Sequence, residues 1–233
     1  MKIQCVWEHN GNDSLLYANN FVGAYTRGKT KDIALQKMKK EVVSYLEWKG
    51  EAIPDSLDPL IVQEKASELM ISDADSDVLF AEEKSPLSEL EYKELKALAL
   101  KSAQNFLDLY EMIPDRNKSC LPIRKTFYGQ VPRTASEMYE HTKNVNDYYF
   151  GQIGVETDHE GTIVECRQRG FALLELQPDY LKNAVYPGSY NEEWTLRKVI
   201  RRFIWHDRIH AKAMWRMALR TFDGDIPNPF HFV

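Results

Sequence analysis

A chain of 233 residues, 43% hydrophobic and 12% aromatic, can bury a sizeable core as one large domain or two ordinary ones, which excludes disordered and fibrous classes. Its 30 basic and 35 acidic residues leave a formal charge of −5, which argues against nonspecific binding to a phosphate backbone and disfavours nucleic acid as a partner. No window reaches the roughly 18 apolar residues of a membrane span, and the opening MKIQCVWEHN lacks the apolar stretch of a signal peptide, so a cytoplasmic protein is predicted.

Residues 2–8 alternate in strand formers, Asn10-Gly11 is a two-residue turn signal, and SLLYA from Ser14 supplies the returning strand of a β-hairpin. A third strand is expected around Phe21–Thr26. After Gly28, Thr30 caps a helix that carries Ile33, Ala34, Met38, Val42, Tyr45 and Leu46 at helical spacing. Beyond it lies an acidic segment with Pro54, Pro86 and the run SDADSD, in which Leu60–Gln63 is a candidate fourth strand. Ser85-Pro86 places a cap and a first-turn proline ahead of a long periodic segment, which sets the domain boundary at 82/83.

In that segment Leu87, Leu90, Leu95, Leu98, Ala103, Phe106, Leu107 and Tyr110 form a stripe that ends at Pro114. Thr134 with Glu137 is a capping box opening a second helix through Phe150, and Thr162 with Glu165 opens a third that breaks near Pro178. A fourth runs from Thr195 to Leu219 without glycine or proline. The tail DGDIPNPFHFV should run extended and bury its phenylalanines. The predicted class is α+β: a small β-β-β-α(-β) domain over 1–82 and an up-down four-helix bundle over 83–233.

His206 and His210 lie one turn apart in the fourth helix and share a face with Val199, Phe203, Ala213 and Met217. Arg197, Arg201, Arg208 and Lys212 then fall on the opposite face, expected to be solvated. With six histidines an H-x₃-H pair arises by chance about one time in seven, so the pair alone is weak. His141 strengthens it, because it shares a face of the second helix with Met138, Val145 and Tyr148 and also points inward. Three inward imidazoles suit one divalent ion, and three histidines with a fourth position left to solvent compose an open site.

Other residues rank lower. Arg202, a turn before His206, could meet an anionic group, and Tyr148 could offer its hydroxyl; these are the weak catalytic candidates, each weighed against an ordinary salt-bridge or core role. Asp207 invites comparison with H-E-x-x-H proteases, but a shorter acid about 100° around the helix fits a surface salt bridge better. His9, His159 and His231 read as exposed loop residues, and Cys5, Cys120 and Cys166 as buried free thiols. Trp194, Trp205 and Trp215 suggest packing or a homodimer contact.

On TASEMYEHTKNV, with His141, and RKVIRRFIWHDRIHAKAM, with His206 and His210, the stretch from Leu87 to Leu219 resembles the DinB/YfiT-like four-helix proteins. That resemblance implies zinc or nickel as cofactor and either hydrolase or thiol-dependent S-transferase activity, with a small-molecule substrate or a low-molecular-weight thiol as partner. The stretch FVGAYTRGKTKDIALQKMKKEVVSYLE, through Gly23, Gly28, Thr30 and Ala34, resembles the HicB antitoxin-type fold, which implies a protein partner for the N-terminal domain. The alternative function is a noncatalytic, metal-stabilised binding or regulatory protein, since no clear general base accompanies the histidines.

Overall fold

In the computed structural model, which describes residues 1–11, 13–73, 75–126 and 129–233, the chain is α+β and divides into two compact units. One comprises Met1–Lys84 with Phe230–Val233, the other Ser85–Pro229.

The first unit is built on strands β1 (Lys2–His9), β2 (Ser14–Ala18), β3 (Tyr25–Gly28) and β4 (Asp58–Ala66), in sheet order β3-β2-β1-β4. The first three are antiparallel neighbours. Helix α1 (Lys31–Lys49) crosses over before β4, which therefore lies parallel to β1. The hairpin pairs His9 with Ser14, so its loop is longer than the two residues expected from Asn10-Gly11; Asn12 lies outside the described residues. Thr30 caps α1 by accepting from the Ile33 amide. A Cβ on Gly28 would stand 2.8–2.9 Å from Ile33 and the Ala34 nitrogen, so the tight entry into α1 excludes a side chain there.

Phe230–Val233 belong to this unit rather than to the helical one to which the sequence reading assigned them. The Phe230 ring stacks on Trp48 at 5.5 Å and on Phe232 at 5.2 Å, and the Ser44 hydroxyl donates to the His231 carbonyl at 2.6 Å. Apolar burial of two phenylalanines outweighs sequence adjacency.

Glu8 is fully buried, accepting from the Ser76 hydroxyl at 2.5 Å and the Asp77 amide at 3.2 Å, while Tyr17 donates to Ser76 at 2.7 Å. Burial pushes its carboxyl up to about 7, opposed in part by the Ser76 hydrogen bond. The folded state thus holds a proton more tightly than the unfolded chain does. Stability of this unit should fall as pH rises from about 4.5 to about 7, by at most roughly 3 kcal/mol. Urea denaturation followed at several pH values reads this, and Glu8→Gln should flatten the dependence.

The second unit holds α2 (Glu89–Glu111), α3 (Ala135–Lys143), α4 (Val145–Gly151), α5 (Ile163–Leu174) and α6 (Leu196–Thr221). The long helix α6 packs on α2, α3 and α4, and α2 also packs on α5. Capping boxes at Thr134/Glu137 and Thr162/Glu165 open α3 and α5, and Thr195 caps α6. The first helix differs from expectation. Its cap is Ser88, boxed with Glu91, three residues after Ser85, and its buried face carries Tyr92, Ala99, Ser102, Ala103, Phe106 and Leu109 while Leu90 is exposed. Gly170 is the close-approach point: a Cβ there would sit 2.0 Å from the Phe150 ring, so α5 reaches α4 only without a side chain.

Among the described residues no helix is long and apolar enough to cross a membrane. Cys5 and Cys166 are buried thiols as expected, whereas Cys120 is exposed.

Candidate metal centre

The predicted second helix breaks after Lys143 into α3 and α4, and the break decides which side chains reach α6. His141 sits in the last turn of α3; His206 and His210 lie one turn apart on α6. The structure brings all three together, with one ligand nitrogen from each lying within 4.8 Å of the others. Ring centroids are 5.0 Å apart for His141 and His206, 4.7 Å for His141 and His210, and 4.5 Å for His206 and His210.

Exposure is graded across the cluster: His206 is buried, His210 half-buried and His141 open to solvent. Burial lowers the pKa of all three. His206 is held well below the usual histidine range by desolvation, then by its two histidine neighbours and the Arg202 and Arg167 charges. His210 is brought down to about 3 by desolvation and His141, and His141 is lowered by desolvation. All three are therefore neutral near pH 7, the protonation state in which imidazole donates a lone pair to a metal.

The Nδ1 of His206 is buried without a hydrogen-bond partner. Such an orphan costs about 1–3 kcal/mol. A divalent ion ligated by the three imidazoles fits this donor set, because borderline ions such as zinc and nickel accept neutral nitrogen ligands and coordination satisfies the lone pair of the nitrogen that binds.

Asp207 departs from its expected surface role. It is fully buried and bidentate with Arg167: Nη1 donates to Oδ2 at 2.5 Å and Nη2 to Oδ1 at 3.0 Å. Arg167 also donates to Asn146 Oδ1 at 3.1 Å and to the Ala99 carbonyl at 3.1 Å, and lies 4.3 Å over the Phe203 ring. Desolvation pushes the Asp207 carboxyl up while the guanidinium fork opposes it. With both oxygens held by Arg167, Asp207 is not placed as the base of an H-E-x-x-H protease.

The basic face of α6 is not solvated either. Arg201 and Arg208 are buried, and Arg197 and Lys212 half-buried. Arg197 donates to the Ser85 and Pro86 carbonyls and to Glu91, and Arg201 and Arg208 also have interaction partners. Helical phase alone cannot foresee this, since long stems bury readily once their heads find partners.

Tyr148 and Tyr149 exchange the roles the unbroken helix would give them. Tyr148 is 37% exposed, whereas Tyr149 is buried with its ring 6.0 Å from His206 and 5.4 Å from Phe203. The Arg202 guanidinium lies 4.6 Å over Trp205, 5.5 Å over Tyr149 and 5.9 Å over Trp194, and it hydrogen-bonds the Tyr149 hydroxyl. Tyr149, whose ring faces His206, and Arg167, whose charge acts on it, were thus missed by sequence reading as neighbours of the centre. For Tyr149 the sequence signal is the break at Asn144, where the polar run TKNVND interrupts the apolar spacing. His159 and His231 are exposed as expected, while His9 ends β1, stacked on Trp7 at 4.0 Å and paired with Glu64 at 3.1 Å.

Compared with known proteins, the chain matches no family model, no curated protein and no solved structure.

Proposed function

We propose that this chain is a metal-dependent protein that binds one divalent ion, zinc or nickel, through His141, His206 and His210, with a further coordination position reachable from the His141 side. The carrying observation is the convergence of three neutral imidazoles from α3 and α6 with His206 Nδ1 buried and unpartnered. In this reading the helical unit is a DinB-like four-helix bundle. The first unit is HicB-like and serves a protein partner.

Of the two activities that fit an open three-histidine site, thiol-dependent S-transfer is favoured over hydrolysis. When bound, such an ion lowers the pKa of a ligated water or thiol, or polarises a substrate oxygen. The chain's own residues supply little base chemistry beside it, because Asp207, the carboxylate next to His206 in the sequence, is committed to Arg167. A thiol, acidic enough to enter as its anion, needs less help from a base than water does. The three histidines orient the ligand, Tyr149 and Trp205 wall the buried side, and Arg202 places a positive charge at the rim. The same scarcity of a base also suits a noncatalytic role in which the ion stabilises the bundle.

X-ray absorption on the zinc-loaded protein separates these readings. An open site should show a light-atom ligand replaced by sulfur at about 2.3 Å when a low-molecular-weight thiol is added. A first shell unchanged by thiol, filled by a fourth protein ligand, would sink the catalytic reading and leave the stabilising one.

A further inference from the structure

The two helices that supply the histidines are joined by a buried chain of hydrogen bonds. It starts two residues after His141, at the Lys143 carbonyl, which ends α3 and accepts from Asn146 Nδ2 at 2.6 Å. Asn146 Oδ1 in turn accepts from Arg167 Nε at 3.1 Å, and the Arg167 fork grips Asp207, the residue that follows His206 on α6. Asn146, Arg167 and Asp207 are all fully buried.

Each link has a chemical reason. A helix leaves its last carbonyls without intrahelical partners, and at an open end water takes them. At the end of α3 the side-chain amide of Asn146, from the first turn of α4, takes the Lys143 carbonyl instead. The guanidinium only donates and the carbonyl only accepts, so an asparagine amide, with one oxygen and one nitrogen, matches both at once. Arg167 is itself held from three other helices: by the Ala99 carbonyl on α2, by Asn146 on α4 and by Asp207 on α6. The chain therefore has a rigid anchor. His141 has little burial to fix it, since it is the exposed member of the cluster and sits in the last turn of its helix, where helices fray.

We propose that Asn146 is a positioning residue of the metal centre. By tying the end of α3 to the Arg167–Asp207 pair, it holds His141 at the distance from His206 and His210 at which one ion takes all three. The ordering of the third ligand is then completed on folding and does not weaken binding. This inference deepens the metal-site reading above and rests on it.

Zinc affinity, measured by competition with a chromophoric chelator, and X-ray absorption, which counts bound imidazoles, test it together. Asn146→Asp keeps the acceptor for Arg167 but sets a second oxygen against the Lys143 carbonyl. It should bind zinc roughly tenfold or more weakly than wild type, the loss typical of residues that orient metal ligands from behind. It should also show two imidazoles where wild type shows three. Wild-type affinity in this variant overturns the proposal. Three imidazoles still bound in it overturn the proposal too, whatever the affinity or the stability of the metal-free variant, because the bond then holds the fold and not the ligand. Should Asn146→Asp not fold, Arg167→Met/Asp207→Leu, which breaks the chain at its middle without stranding a charge, decides by the same two readings. Weakened zinc with two imidazoles supports the proposal, and wild-type binding overturns it. Wild type that takes up no zinc overturns the metal site as well, whereas the other outcomes leave that site standing.

Discussion

Purified His206→Ala protein should carry almost no divalent metal, against about one equivalent for wild type loaded with zinc or nickel and freed of excess by gel filtration. Removing the buried member takes away a third of the ligand set, and no other described histidine or carboxylate stands in the cluster to replace it. The loss should appear in stability too. An ion present at a thousandfold its Kd adds about 4 kcal/mol to a protein that binds it only when folded. Added zinc should therefore raise the thermal midpoint of wild type and leave that of His206→Ala nearly unmoved. His159→Ala is the control, because His159 is exposed and pairs with Asp147 at 3.5 Å, away from the cluster. Undiminished metal in His206→Ala would refute the site.

Asp207→Asn should destabilise the helical unit strongly while leaving the histidines intact. The variant keeps the volume but strands a fully buried guanidinium, and breaking such a pair costs about 3–5 kcal/mol. Urea denaturation of the metal-free protein measures it directly, without contribution from the ion. The double variant Arg167→Met/Asp207→Leu removes both charges and should recover much of the loss, since an apolar pair escapes the desolvation penalty. A single-variant loss below about 1 kcal/mol would mean that water reaches the pair when the unit breathes.

The parts of this fold that the sequence made legible are those written in short-range chemistry. Thr30, Thr134, Thr162 and Thr195 each announce a helix by a side-chain oxygen three residues ahead of the amide it caps, and each does so in the structure. His206 and His210 were readable for the same reason: one helical turn fixes their common face. His141 met them although it lies on another helix, because the stretch before the break keeps the expected phase.

What followed the break was not legible. A helix run unbroken to Phe150 puts Tyr148 toward the centre; the actual restart at Val145 puts Tyr149 there instead. Asp207 and Arg167 lie 40 residues apart, and nothing local marks either as buried, since charged residues are almost always expected outside unless a partner is known. Ser88 was passed over for Ser85 because the Ser85-Pro86 dipeptide is a louder start signal than the true box at Ser88 and Glu91. In each case the deciding interaction connects segments that sequence spacing cannot relate.

The closure of the first unit by Phe230 and Phe232 has a consequence for synthesis. Ser44 and His231 are joined across 187 positions, and everything between Ser85 and Pro229 must leave the ribosome before the Trp48 ring can find Phe230. Until then the nascent sheet and α1 carry an uncovered aromatic surface, so the N-terminal unit, although made first, should be the last to reach native protection. Its slow step is set by the closing of a very long loop rather than by its own short-range contacts.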